Sequence, residues 1–278
     1  ALQRFSLAGY EYQRGIWESC ELAARGDCFS RAVVPKGGQT THTTTFAMVL
    51  PLYLAAIERR SSLIVQPDEG KAERFSKKLW SLIEASPRLR ELFPGRQKVS
   101  DLVSAQRIPI RVAFSSSRDQ LMGESASLVV LDEFDRLVGC DGSDLAPWDT
   151  AEMAEARTRA FRRKARIDMG TPERPARGIM ARFALSSMGR FHVRCPSCDR
   201  WQTVEMPGVF SPCSEPEHTR DGASNITWAD ERADQSAPDA TFRCRLCMAP
   251  WDRAARLRLN ATGVWVHAHA DRALRGHH

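Results

Sequence analysis

A chain of 278 residues with 42% hydrophobic and 27% charged side chains has the apolar content for one large core or two unequal ones, which excludes a disordered chain. No apolar run approaches the roughly 18 to 20 residues of a membrane-spanning helix, and the first residues, ALQRFSLAGYEYQRG, lack the pattern of a secretory signal. A soluble, non-secreted protein is expected, and its formal charge of +6 favours a polyanionic partner.

The first strand-like run is SRAVVP, residues 30–35, and it leads into KGGQTTHTTTF. Glycines followed by hydroxyl residues at a helix start can set backbone N–H groups around a triphosphate at the positive helix end. The candidate cradle comprises Lys36, Gly37, Gly38, Gln39, Thr40, Thr41, His42 and Thr43. It departs from the common G-x-x-x-x-G-K-[ST]: counted from Lys36, Thr41 stands at the second glycine and His42 at the lysine. Lys36, at the start of the loop, can fold back onto the β- and γ-phosphates, and Thr43 can supply a hydroxyl ligand for Mg²⁺. A helix is predicted from about Thr43 to Glu58, kinked or broken at Pro51.

A second run, SSLIVQP at 61–67, precedes DEGKAERFSKKLWSLIEASPRLRELF, where Ala72, Phe75, Leu79, Leu82 and Ile83 recur at helical spacing. Three more runs follow: IPIRVAFSS at 108–116, SLVVLDE at 127–133 and ARIDMGTP at 165–172. Strands alternating with helices predict an α/β fold with a parallel sheet.

SLVVLDEFDRL carries an apolar strand into Asp132 and Glu133 at its carboxyl end, where open α/β sheets bind ligands. Such a pair divides the labour of hydrolysis: Asp132 holds Mg²⁺, and Glu133 orients and deprotonates water. The alternative is an apolar strand ending in a polar turn. MGTPER follows the next strand, and there Thr171 can sense the γ-phosphate or simply begin a turn before Pro172. Arg157, Arg159, Arg162, Arg163, Lys164 and Arg166 make either a solvated helix face or a phosphate-contacting surface.

Cys195 and Cys198 form one C-x-x-C pair and Cys244 and Cys247 another, in RFHVRCPSCDRWQTV and ATFRCRLCMAPW. Two such pairs between strand-formers predict a zinc ribbon with four thiolates on one tetrahedral Zn²⁺, a closed shell that stabilises and does not catalyse. A competing set is Cys195, Cys198, Cys213 and His218. Cys20, Cys28 and Cys140 read as small buried hydrophobes. Between the pairs, Glu205 to Asp239 is acid-rich and reads as a loop. The predicted organisation is an ATPase domain over 1–188 and a zinc-ribbon-like module over 189–278.

In their order, VVPKGGQT, SSLIVQPDEGKAERFSKKLWSLIEASPRLRELF, LMGESASLVVLDEFDRL, IDMGTPE, the paired knuckles and NATGVWV resemble the phage terminase large subunits of the GpA type. The resemblance implies an ASCE-class P-loop ATPase that drives duplex DNA into a procapsid in the host cytoplasm, and it implies a small subunit, a portal and an oligomer as partners. By it, Lys36 looks like a variant P-loop lysine, Asp132 and Glu133 like the Walker B pair, and the residues at 170–172 like the motif coupling hydrolysis to movement. It also implies an endonuclease domain that the twelve residues after Val266 cannot hold, so a fragment without nuclease activity is expected. Other nucleic-acid-dependent P-loop ATPases, such as a helicase or repair translocase, and a non-catalytic zinc-ribbon DNA-binding module with a decayed core are the alternatives.

Overall fold

The computed structural model describes residues 11–18, 29–37, 41–98, 101–140, 149–203, 226–227 and 241–274. They fall into two compact units, the larger built from Trp17–Met188 and the stretch from His269 on, the smaller from Gly189–Ala268 and the segment ending at Ile16.

Five strands of the larger unit run parallel in one sheet: β1 (Phe29–Pro35), β2 (Ser62–Gln66), β5 (Pro109–Phe114), β6 (Leu128–Leu131) and β7 (Lys164–Gly170). All five follow the apolar runs read from the sequence. Strands β3 (Gly95–Lys98) and β4 (Asp101–Val103) add an antiparallel edge, giving the order β1-β7-β6-β2-β5-β4-β3. The whole of β2 and β6 is buried, as expected for central strands of a parallel sheet covered on both faces. Leu63, Val65, Val129 and Leu131 pack on one face with Phe134, Ile179 and Phe183, while the alternate residues Ile64 and Val130 are buried on the other.

Helix α1 (Leu50–Ala56) continues from a wide-turn π-helix, Thr43–Val49, and the winding changes next to Pro51, which has no N–H to donate. The predicted break is therefore a change of pitch. Helix α2 (Glu69–Glu84) is capped by the Asp68 carboxylate, which accepts from Lys71 N, and it buries Ala72, Phe75, Leu79 and Ile83. It ends before Pro87, and α3 (Pro87–Leu92) restarts with Ser86 as its cap. Helix α4 is Arg118–Leu121, and α5 (Thr150–Ala156) and α6 (Gly178–Leu185) flank β7 in sequence.

Beside the sheet's first two strands lies a buried ion network. Arg166 on β7 is fully buried and donates from Nε and Nη2 to both oxygens of buried Asp168, at 2.6 and 2.7 Å. It also pairs with Glu155 of α5, which Arg31 of β1 reaches as well. Burial alone would lower the Arg166 pKa, but Asp168 and Glu155 outweigh it and hold the guanidinium above its ordinary value.

In the smaller unit, β8 (Gly189–Arg194), β9 (Trp201–Thr203) and β13 (Val264–His267) form one sheet in the order β13-β8-β9. Strands β10 (Ile226–Thr227), β11 (Thr241–Arg243) and β12 (Pro250–Trp251) form another, and α7 (Arg253–Thr262) follows. Val193, Cys195, Cys244, Trp251, Ala255 and Leu259 make its core.

Candidate functional site

The C-terminal ends of β1, β7, β6 and β2 share one rim, which carries Lys36, Gly170, Asp132 and Gln66. Lys36 N donates to Gly170 O at 2.9 Å, prolonging the β1–β7 pairing by one residue. Its ammonium then turns inward: Nζ donates to Asp132 Oδ1 at 2.7 Å and to Thr43 Oγ1 at 2.7 Å, and lies 3.4 Å from Glu133 Oε1. Thr43 Oγ1 donates to the same Asp132 oxygen at 3.3 Å, and Gln66 Nε2 donates to the other at 3.3 Å. Lys36 and Asp132 are both buried. The ammonium thus sits between a hydroxyl and a carboxylate, a donor set that suits Mg²⁺.

Glu133 is half-buried and has a left-handed backbone, φ 54°, an uncommon state for a residue with a Cβ. Its N–H donates to Asp132 Oδ1 at 3.1 Å. Gly170 makes that turn possible, since a Cβ there would meet Phe134 N at 2.7 Å. Thr171, the first residue after β7, is exposed.

His42 is buried against Phe46, with ring centroids 5.9 Å apart. Burial, and then the nearby Lys36 ammonium, lower its pKa to about 4, so the imidazole is neutral at neutral pH and Lys36 is the cation at this spot. Gly37 and Thr41 are exposed, Thr41 with φ 62°. Gly38, Gln39 and Thr40 lie outside the described residues.

The basic stretch is not a helix face. Arg166 is fully buried in the ion network, because the strand pattern turns it inward, and it offers nothing to a surface partner. Arg157 donates to Met122 O and Gly123 O at 2.8 and 3.3 Å. Arg159, Arg162 and Arg163 are exposed in the turns before β7, at the end of the strands away from Lys36, and Arg60 donates to Arg163 O there.

In the smaller unit the two C-x-x-C turns repeat one geometry. Cys195 N bonds to Arg200 O and Asp199 N to Cys195 O, while Cys244 N bonds to Ala249 O and Met248 N to Cys244 O, all at 2.9 Å. Asp199 and Met248 both take positive φ, 63° and 59°. The four thiols converge, with Sγ–Sγ distances of 3.8 Å for Cys195–Cys247 and 3.7 Å for Cys198–Cys244. Four sulfurs about 2.3 Å from one tetrahedral zinc would be about 3.8 Å apart, so the donor set fits that ion. Gln202 Nε2 donates to Cys244 Sγ at 2.9 Å and its Oε1 accepts from Arg245 N. Burial opposes ionisation of Cys244, but the Gln202 amide and the N–H groups of Cys247 and Leu246 bring its pKa down to about 6. Cys213, His218 and most of the acid-rich stretch lie outside the described residues, as do Cys20 and Cys28; Cys140 is buried.

Two residues near the rim escaped the sequence reading: Gln66 and Asp135. Gln66 was signalled by a polar end to an otherwise apolar strand, and Asp135 by a third acid directly after the pair.

A family model described as phage terminase large subunit gpA, ATPase domain, matches residues 4–265. The chain belongs to that family. Among solved structures, this terminase ATPase region is similar to the large terminase of bacteriophage HK97, at 14% identity and a TM-score of 0.52, over 65% of this chain and 36% of that one. It is also similar to the large terminase ATPase domain of Thermus phage P74-26, at 16% identity and a TM-score of 0.44, over 56% of this chain and 64% of that one. The chain thus spans about a third of the HK97 protein, and the likeness is one of fold. No curated protein gives a significant match. Among the described residues no helix is long and apolar enough to cross a membrane.

Proposed function

We propose that this terminase region hydrolyses ATP at the Lys36–Asp132–Glu133 rim and couples the reaction to movement of duplex DNA into a procapsid. The carrying observation is the contact of Lys36 Nζ with Asp132 Oδ1, Thr43 Oγ1 and Glu133 Oε1 at one strand-end rim. On ATP binding the Lys36 ammonium exchanges its carboxylate partner for the β- and γ-phosphates. Asp132 and Thr43 would hold Mg²⁺, which when bound neutralises phosphate charge. Glu133 orients a water and takes its proton as oxygen attacks the γ-phosphorus and the bond to the ADP oxygen breaks. Thr171, at the end of the neighbouring strand, senses the loss of the γ-phosphate. Neutral His42 fills the usual lysine position with shape and leaves the charge to Lys36.

The four cysteines hold structural Zn²⁺ within the smaller unit. Arg159, Arg162 and Arg163 are the proposed contacts to DNA phosphates, which carry no sequence information and suit a motor that moves along any duplex. Family membership supports a small subunit, a portal and self-association as partners, and action in the host cytoplasm. The proposed division between an ATPase domain and a zinc-binding module falls at 188/189. The test is ATP hydrolysis with and without duplex DNA. DNA-stimulated turnover by the wild type and its loss in Glu133→Gln support the reading, whereas equal rates in both proteins refute it.

A further inference from the structure

Directly after Glu133 the chain forms a 3₁₀ turn, Phe134–Arg136, and in it Asp135 is a buried carboxylate. Both its oxygens are engaged by the stretch that leads from β7 into the first turn of α6. Oδ2 accepts from Glu173 N at 2.9 Å and Oδ1 from Ile179 N at 2.6 Å. Gly178, with φ 52°, admits this closure, because a Cβ there would sit on the Asp135 carboxylate. A second, exposed link joins the same two segments: Arg136 Nε to Glu173 Oε1 at 2.5 Å. A third is the seat of Gly170 against Phe134 N.

We propose that Asp135 is a positioning residue that ties the turn bearing Glu133 to the segment beginning at Thr171, so that the two move as one body when the nucleotide site changes. Its two oxygens are taken up by backbone N–H groups. Each carboxylate oxygen accepts from a different point of the segment, one near its start and one at the entrance to α6, so the segment has little freedom to swing without carrying the Glu133 turn with it. Charge-assisted bonds to backbone N–H groups in a buried site are strong and directional. The Arg136–Glu173 pair spans the same gap in solvent and contributes little. A displacement of the 171–178 segment would therefore shift Glu133, and DNA engagement that moves this segment would set the rate of hydrolysis.

This inference rests on Glu133 being the base, and the experiment separates the two. The full chain and its Glu133→Gln, Asp135→Asn, Gly178→Ala and Arg136→Ala variants are compared in ATP affinity, kcat, KM, DNA stimulation and amide exchange at Glu173 and Ile179. In Asp135→Asn one oxygen acceptor becomes a donor facing an N–H. Gly178→Ala leaves the carboxylate in place and forces the pair apart, so it reads the link independently should Asp135→Asn fold poorly. Expected in both is a fall in kcat of roughly tenfold to a hundredfold, the scale of a small misplacement of a catalytic group. KM and ATP affinity stay within about threefold, the signature of an interaction made in the transition state. DNA stimulation falls toward unity, amide exchange at Glu173 and Ile179 speeds up, and Arg136→Ala behaves like the wild type. Unchanged kcat and DNA stimulation in Asp135→Asn and Gly178→Ala, beside a silent Glu133→Gln, overturn the link and leave the site reading standing. Wild-type hydrolysis by Glu133→Gln overturns the site reading, and the link falls with it.

Discussion

Removing one partner of the Lys36–Asp132 pair should destabilise the nucleotide-free protein far more than removing both. At 2.7 Å and an effective dielectric of 20, the gross attraction is about 6 kcal/mol, most of it offset by the desolvation of two buried charges. Stranding one charge forfeits the attraction and keeps the penalty, a loss of about 3–5 kcal/mol. For a unit of this size that lowers Tm by roughly 6–20 °C. The partners are not equivalent. Without Lys36, Asp132 keeps donors from Gln66, Thr43 and its neighbour's N–H, whereas without Asp132 the ammonium keeps the Thr43 hydroxyl and the more distant Glu133. Asp132→Ala should therefore cost more than Lys36→Met. Lys36→Met combined with Asp132→Leu should recover about 2 kcal/mol or more of the summed losses in a double-mutant cycle, read by urea unfolding without nucleotide. Losses that add to within about 0.5 kcal/mol would show that the two groups do not interact, and the arrangement of the rim would be wrong.

Reduced protein should carry about one zinc per chain by elemental analysis, and Cys195→Ser or Cys247→Ser should lose it while Cys213→Ser keeps it. Protein free of zinc would contradict the four-thiolate site. Burial pushes the Glu155 pKa up, yet Arg166 and Arg31 outweigh it and hold the carboxyl below its usual 4.5. Its contribution to stability is thus fully present above the unfolded value and lost as pH falls through the lower folded value. Glu155→Gln should flatten the acid limb of the stability–pH curve below about pH 4.5, and an unchanged limb would exclude the network as its source. Reversing Arg159, Arg162 and Arg163 together to Glu should weaken duplex binding for all sequences alike, and the log–log salt slope should shrink by about one for each DNA phosphate that no longer meets an arginine. Unaltered affinity would move the DNA surface elsewhere.

Strands β2 and β6 were legible because each is an uninterrupted apolar run ending in polar residues, which is what burial on both sheet faces demands, whereas β1, β5 and β7 carry Arg31, Arg111, and Arg166 with Asp168, and were read from shorter apolar runs alternating with helical stretches. The antiparallel strands β3 and β4 were not, since GRQK, at the sheet edge, has no apolar pattern and DLV, though mostly apolar, is only three residues long. Two loops far apart in sequence could be expected to meet because strand ends in a parallel sheet share a rim. Which groups touch there could not be read. Gln66 and Asp135 act through hydrogen bonds to residues 66 and 38 or more positions away, and no local periodicity records such partners. Arg166 misled the reading for the opposite reason: its neighbours in sequence are exposed arginines, but strand alternation turns it inward onto Asp168. The cysteine pairs were the clearest local signal, since two intervening residues and a tight turn fix where both sulfurs point.

Titration calorimetry with ATPγS, in the presence and absence of Mg²⁺, probes the rim most directly. The wild type should bind with an affinity that Mg²⁺ strengthens, Lys36→Ala should lose about a hundredfold, and Asp132→Ala should bind without regard to Mg²⁺. Equal affinities in all three proteins, with or without the ion, would contradict a shared nucleotide and metal site on these strand ends.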